Sequence, residues 1–102
     1  MIYKASEAEV IFEMEGAIGR KVSVINNCEY VRLSIDPGKK IPPHALEVPV
    51  TFYVISGSAE VTLVGEKGNV AAGDMLEIKP NLEREWNNTG SEILELLVIK
   101  HL

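Results

Sequence analysis

The fold is set by residues 50–65, which read VTFYVISGSAEVTLVG. The first half, residues 50–55, is rich in β-branched and aromatic residues, which favour strands. Ser56-Gly57 is a turn signal, and polar and apolar residues alternate over residues 59–64. An alternation of period two is typical of a strand with one buried face. The stretch therefore predicts two strands joined by a short turn.

Short runs of this kind, separated by Gly, Pro and Asn, continue along the chain. The predicted strands are residues 21–25, 30–35, 50–55, 59–64, 70–71, 75–78, 85–88 and 93–100. The turn formers Gly65, Gly68 and Asn69 predict a hairpin loop over residues 65–69. About eight short strands at this spacing indicate an all-β sandwich or barrel with antiparallel strands.

The N-terminal segment is open to two interpretations. Ser6 and Glu9 have the spacing of a capping box, which begins a helix. Residues 5–15 fit a strand about as well. We expect one domain over residues 1–102, with an N-terminal arm at 1–20 and a barrel core at 21–102.

Composition excludes several classes of function. The 102 residues carry a formal net charge of −5, and nucleic-acid binding and membrane docking both require a basic surface. The single cysteine, Cys28, cannot form an intramolecular disulfide and is interpreted as a small buried or half-buried hydrophobic side chain. Residues 1–16 hold four glutamates and one lysine, unlike a signal peptide. We expect a cytoplasmic protein that binds neither nucleic acid nor membrane.

Two segments together resemble the cupin superfamily of small jelly-roll barrels. The first covers residues 38–57, contains His44 and ends in FYVISG. The second covers residues 73–88, with Gly73, Pro80 and Asn88 at matching positions. The resemblance extends over roughly residues 30–100 and implies an antiparallel jelly-roll β-barrel. The arm would then be a short helix or a strand swapped between subunits.

The resemblance also implies a metal site, and this chain departs from it. The metal site that the resemblance implies has three histidine ligands and one glutamate ligand, a set that suits Fe, Mn, Ni or Zn. Their positions fall on His44, Leu46, Val50 and Arg84. Leu46 and Val50 have no ligand atoms, and the permanent charge of Arg84 repels a cation. We expect no bound metal, with His44 as the one residual ligand.

Other side chains would have to replace the missing ligands. The candidates are Glu47, Glu85, Cys28 and His101. If positions 44, 46, 50 and 84 face the interior, alternation turns Glu47 and Glu85 outward.

Alternation predicts an apolar interior with a few polar groups. The expected inward residues are Leu33, Ile35, His44, Leu46, Val50, Phe52, Val54, Arg84, Trp86, Asn88, Leu96 and Val98. An arginine in such a pocket pairs best with a carboxylate or a phosphate. We predict a small organic acid as ligand, with Arg84 on the anion, His44 in a hydrogen bond and Trp86 stacked on the ligand. The predicted ligand-binding residues are His44, Leu46, Val50, Phe52, Arg84, Trp86 and Asn88.

Each polar or aromatic residue also has a purely structural interpretation. Arg84 can turn outward and pair with Glu83 or Glu85, as surface arginines do. Trp86 can be plain core, and His44 can hydrogen-bond the rim of the barrel.

Three classes of function remain open. The first is a metal-independent binding protein for a small anionic metabolite. The second is an enzyme, either a metal-dependent oxygenase or isomerase, or a metal-free isomerase with His44 as general base. The third is an interaction or regulatory module built on a dimer. The cupin resemblance implies a homodimer in which N-terminal strands pack across the partner and cover exposed sheet edges. The apolar residues ahead of the barrel fit that use: Val10, Ile11, Phe12 and Met14.

Overall fold

The chain forms ten strands and one short 3₁₀ turn, and the computed structural model describes all residues from 1 to 102. The elements are a 3₁₀ turn at Ala5–Glu7 and strands β1 (Glu9–Met14), β2 (Ala17–Ile25), β3 (Cys28–Ile35), β4 (Lys40–His44), β5 (Val50–Ser56), β6 (Ser58–Leu63), β7 (Glu66–Ala71), β8 (Met75–Ile78), β9 (Arg84–Asn87) and β10 (Leu94–His101). No helical segment of the chain is long and apolar enough to span a membrane.

The strands pair into two antiparallel sheets. The six-stranded sheet has the order β1-β2-β3-β10-β5-β8, and the four-stranded sheet has the order β4-β9-β6-β7. Strands distant in sequence are neighbours in space, as where β10 lies between β3 and β5. This arrangement confirms the predicted all-β jelly roll.

The core lies between the inner faces of the two sheets. Along β10, buried Leu94, Leu96 and Val98 alternate with partly exposed residues. The partners of Leu96 and Val98 on β3 are Leu33 and Val31, which are buried too. Side chains alternate between the two faces of a strand, and the pairing register places inward residues of neighbouring strands opposite each other. Buried residues therefore meet on one face of the sheet. Most of the residues predicted to face inward are buried; His44 is exposed and Leu46 is half-buried.

The N-terminal segment is a strand and not a capped helix. The helical part is limited to Ala5–Glu7, and Lys4 precedes it without any side-chain cap, so the capping box predicted at Ser6 does not form. β1 pairs with β2 along its length. β2 begins at Ala17, four residues before the predicted start at residue 21. Ala17 itself is buried in the core. The local pattern fits helix and strand equally, so the pairing with β2 decides the outcome.

The hairpin between β6 and β7 is tighter than predicted. Leu63 pairs with Glu66, which leaves a two-residue turn at Val64-Gly65. The predicted loop at residues 65–69 is therefore wrong, because Glu66 to Asn69 belong to β7. The turn has positive φ angles at both residues, 49° at Val64 and 77° at Gly65. This geometry matches the right-handed twist of the flanking strands.

Val64 is a poor residue for this turn, and its replacement is expected to stabilise the protein. A β-branched residue in the left-handed region is strained, whereas Asn-Gly is the preferred pair for such a hairpin. Val64→Asn should raise the free energy of unfolding by about 1 kcal/mol, and the melting temperature by about 4–8 °C. Thermal and urea unfolding measure the change. Val64→Thr keeps the β-branch and should gain nothing; equal stability of the two variants would contradict the prediction.

Candidate functional site

A cavity of about 220 Å³ opens between the two sheets. Its walls come from five strands of the six-stranded sheet and from β4 and β9 of the four-stranded sheet. The lining residues are Ile11, Phe12, Gly19, Val31, Leu33, Ile41, His44, Leu46, Phe52, Arg84, Trp86, Val98 and Lys100. This volume lies just below the ~300 Å³ at which pockets for drug-sized ligands begin, so the cavity fits a small metabolite.

Five of the seven predicted ligand-binding residues line this cavity. They are His44, Leu46, Phe52, Arg84 and Trp86. Val50 is fully buried in the core, where it pairs with Ile78 of β8. Asn88 is also buried and uses its side chain in a turn: Nδ2 donates to the carbonyls of Ile35 and Glu92, and Oδ1 accepts from the Gly90 amide. The structure therefore does not bring Val50 or Asn88 to the cavity.

A bulge in β4 places His44 at the cavity. Ile41 pairs with Trp86 and His44 with Arg84, so three steps along β4 match two steps along β9. Without the extra residue, Ile41 and His44 would point to opposite faces. The bulge falls at Pro42-Pro43, which cannot donate to a strand ladder and are tolerated because β4 is an edge strand. His44 is exposed at the rim, where its Nδ1 lies 3.4 Å from the carbonyl oxygen of Pro42.

Arg84 points inward and has no partner of opposite charge. Its side chain is 3% exposed, and its Nε makes no hydrogen bond. The four ion pairs of the structure do not involve Arg84: they are Lys21–Glu9, Arg32–Glu95, Lys39–Glu15 and Lys67–Glu60. The guanidinium carbon lies 5.4 Å from the ring centroid of Phe52, a cation–π contact. The alternative that Arg84 turns outward to Glu83 or Glu85 is thereby excluded.

Trp86 forms part of the core behind the cavity. Its side chain is 0% exposed, and its ring centroid lies 5.0 Å from that of Phe52 at an interplanar angle of 55°. The indole Nε1 has no hydrogen-bond partner. Trp86 lines the cavity with no exposed area, so stacking on a ligand would require a change of conformation.

The electrostatic character of the cavity is positive. Arg84, Lys100 and His44 line it, and no carboxylate does. Burial lowers the pKa of Arg84 from its usual value, but a guanidinium stays protonated at neutral pH. Burial and then the charge of Arg84 lower the pKa of His44 below its ordinary 6.5, with a smaller effect of Lys100. His44 is therefore neutral at pH 7 and can accept or donate a hydrogen bond.

Sequence reasoning missed Lys100, Ile41, Gly19 and two residues of β1. Alternation could have predicted Lys100, because the inward positions of β10 continue from Val98 to residue 100. Ile11 and Phe12 reach the cavity through a register shift in the pairing of β1 with β2, which no local pattern indicates. Gly19 leaves the space over which Phe12 packs, since a Cβ there would lie 3.2 Å from the Cβ of Phe12.

The residues at this site do not fit the metal that the jelly-roll resemblance implies. No group of three or more His, Cys, Asp or Glu side chains that could hold a metal ion is found. Cys28 and His101 do meet, with Sγ 3.6 Å from Nδ1, but neither lines the cavity with His44. Glu47 and Glu85 lie outside the lining as well. One imidazole beside a guanidinium is a poor ligand set for a divalent cation.

Comparison with known families and structures agrees with the fold. The family model for the cupin domain matches residues 31–100. The structure of KdgF from a Halomonas species is similar over 100% of this chain and 94% of its own, with 20% identity and a TM-score of 0.85. A predicted oxalate decarboxylase from Thermotoga maritima is similar over 100% and 99%, with 23% identity and a TM-score of 0.80.

The polyketide cyclase RemF from Streptomyces resistomycificus is similar over 98% of this chain and 79% of its own, with 18% identity and a TM-score of 0.82. A search of curated protein sequences found no match. At these identities the structural similarity shows the fold alone.

Removal of the buried charge is expected to stabilise the protein in the absence of ligand. An unpaired buried guanidinium carries a desolvation penalty, and Met fills a similar volume without it. Arg84→Met should raise the free energy of unfolding by roughly 1 kcal/mol or more. Urea unfolding in an anion-poor buffer measures it. Arg32→Met is the matched control, because it removes an exposed arginine paired with Glu95 and should lower stability by at most ~1 kcal/mol. Destabilisation by Arg84→Met would make Arg84 a structural residue.

The lowered pKa of His44 predicts a pH-dependent loss of stability. In the folded state burial disfavours the imidazolium most, followed by the charge of Arg84. The Pro42 carbonyl favours it, and Lys100 has a smaller unfavourable effect. The unfolded chain therefore takes up a proton more readily, and folding weakens as the pH falls below the ordinary pKa of 6.5. His44→Gln should lose less stability than the wild type between about pH 7.5 and about pH 5. Urea unfolding across this range tests it, and parallel curves would contradict it.

Proposed function

The chain belongs to the cupin domain family, and within that fold we propose that it binds a small organic anion in the cavity between its sheets. The observation that carries the proposal is Arg84, a buried cation without a partner in a cavity that no carboxylate lines. The proposal does not involve a metal, since Leu46 and Arg84 stand where the family pattern has ligands.

The energetics of Arg84 support an anionic ligand. A buried charge without a partner is rare, because desolvation is compensated only by an opposite charge or by hydrogen bonds. The cation–π contact with Phe52 offsets part of the penalty. A carboxylate matches the planar fork of the guanidinium with two parallel hydrogen bonds. Binding of such an anion would offset the remaining penalty of the empty site.

The other lining residues fit a small ligand with an apolar part. Phe52 and Leu46 provide apolar wall, and Ile11 and Phe12 stand at the more exposed rim. His44 is neutral at pH 7 and supplies a hydrogen bond at the rim. Sites for metabolites commonly combine apolar walls with a few convergent polar groups.

The two other classes of function have less support. A metal-free isomerase with His44 as base needs a second group to return the proton, and no carboxyl group lines the cavity to do so. An interaction module would use exposed apolar residues such as Val10, Ile11 and Phe12 on β1. The homodimer, the cytoplasmic location and the absence of a metal stay predictions.

Small carboxylates are expected to bind the wild-type protein through Arg84. Butyrate and succinate should raise the melting temperature in a concentration-dependent way, because a ligand that binds only the folded state stabilises it. Arg84→Met should abolish this shift. Arg84→Lys should weaken binding at least about tenfold, since an ammonium lacks the bidentate geometry. Thermal shift and isothermal titration calorimetry measure both effects.

The controls separate specific pairing from general attraction. Arg32→Met removes the same charge from the protein surface and should leave carboxylate binding unchanged. A chloride titration should weaken binding only slightly, because salt screens a buried ion pair much less than an exposed one. Equal binding by the wild type and Arg84→Met, or no binding of any small carboxylate to the wild type, would refute the proposed function.

A further inference from the structure

The cavity holds two cationic side chains on opposite walls. Arg84 belongs to β9 of the four-stranded sheet and is 3% exposed. Lys100 belongs to β10 of the six-stranded sheet and is only half-buried. Both are close enough to His44 to lower its pKa through their charges. The two cations therefore flank one space at different depths, with Arg84 inside and Lys100 nearer the rim.

Neither cation is neutralised by the protein. None of the four ion pairs includes Arg84 or Lys100. Glu29 is the residue directly opposite Lys100 on β3, but it forms no ion pair with it and does not line the cavity. Two uncompensated positive charges in one small cavity repel each other, and a ligand with one negative charge leaves this repulsion partly in place.

We propose that the ligand carries two separated anionic groups, as in a short aliphatic dicarboxylate, with one carboxylate on Arg84 and the other at Lys100. This inference rests on the proposed function and specifies the ligand class of the same site. The apolar wall of Phe52 and Leu46 provides the surroundings for the methylene chain between the carboxylates. A volume of about 220 Å³ limits that chain to a few carbons.

His44 has a different part in this site. Its neutral imidazole can donate one hydrogen bond to a ligand oxygen at the rim without adding a third full charge.

The direct test compares ligands of matched length on the wild-type protein. Succinate and glutarate are titrated against butyrate and valerate by isothermal titration calorimetry at pH 7 and low salt. The dicarboxylates should bind about fivefold tighter, which is the upper end of the effect of one additional partly exposed ion pair. Inorganic phosphate concentrates its charge at one point and should bind no better than the monocarboxylates.

Three variants assign the second carboxylate. Lys100→Gln should bring succinate and glutarate to within about twofold of butyrate and valerate. Lys79→Gln alters the net charge equally, lies outside the cavity lining and should keep the preference. Glu29→Gln removes the carboxylate opposite Lys100 and should strengthen dicarboxylate binding. Circular dichroism confirms that each variant is folded.

The outcomes distinguish this inference from the proposed function. Equal affinity for dicarboxylates and monocarboxylates in the wild type overturns the inference, while Arg84-dependent binding keeps the function. A dicarboxylate preference that survives in Lys100→Gln, or phosphate that binds as well as succinate, also overturns it. If no carboxylate binds the wild type, both fail. A preference that Lys100→Gln removes and Lys79→Gln keeps supports the inference.

Discussion

Phe52 of β5 meets Trp86 of β9 across the space between the sheets, with ring centroids 5.0 Å apart and both side chains almost completely buried. The same ring lies 5.4 Å from the guanidinium carbon of Arg84. One aromatic side chain thus contributes to the packing of the sheets and to the position of the charged group. Because interiors are closely packed, a change at Phe52 would alter the core and the cavity together.

Local charge guides the functional interpretation better than net charge. The chain has a formal charge of −5, yet its cavity is lined by Arg84, Lys100 and His44 and by no acidic residue. The carboxylates that form ion pairs, such as Glu9 and Glu95, do so with lysines and arginines outside the lining. Charges beyond a Debye length of ~10 Å are screened, so a small anion in the cavity responds mainly to the lining residues.

Binding sites often keep residues that do not favour folding, and Arg84 is such a residue. A hydrophobic side chain at this position would satisfy the core without an unpaired charge. Natural proteins tend to depart from local consistency at functional positions, where the loss is compensated elsewhere in the structure. Here, cation–π contact and close packing around Phe52 and Trp86 hold Arg84 in place. The same reasoning does not extend to Val64, because nothing in the structure explains its strained conformation at an exposed turn.

Sequence by itself determined an antiparallel sandwich or barrel and most of its core, because the period-two pattern of a strand is local information. The jelly roll followed from the resemblance of residues 30–100 to the cupins, and the sequence left the orientation of Arg84 open. Tertiary structure decided the rest. Three features depend on contacts between different segments of the chain. They are the formation of β1, the bulge that places His44 at the cavity, and the distance of Asn88 from the cavity. Register is a property of two strands together, so a single strand cannot reveal it. The positive cavity between Arg84 and Lys100 exists only once β9 and β10 face each other from separate sheets.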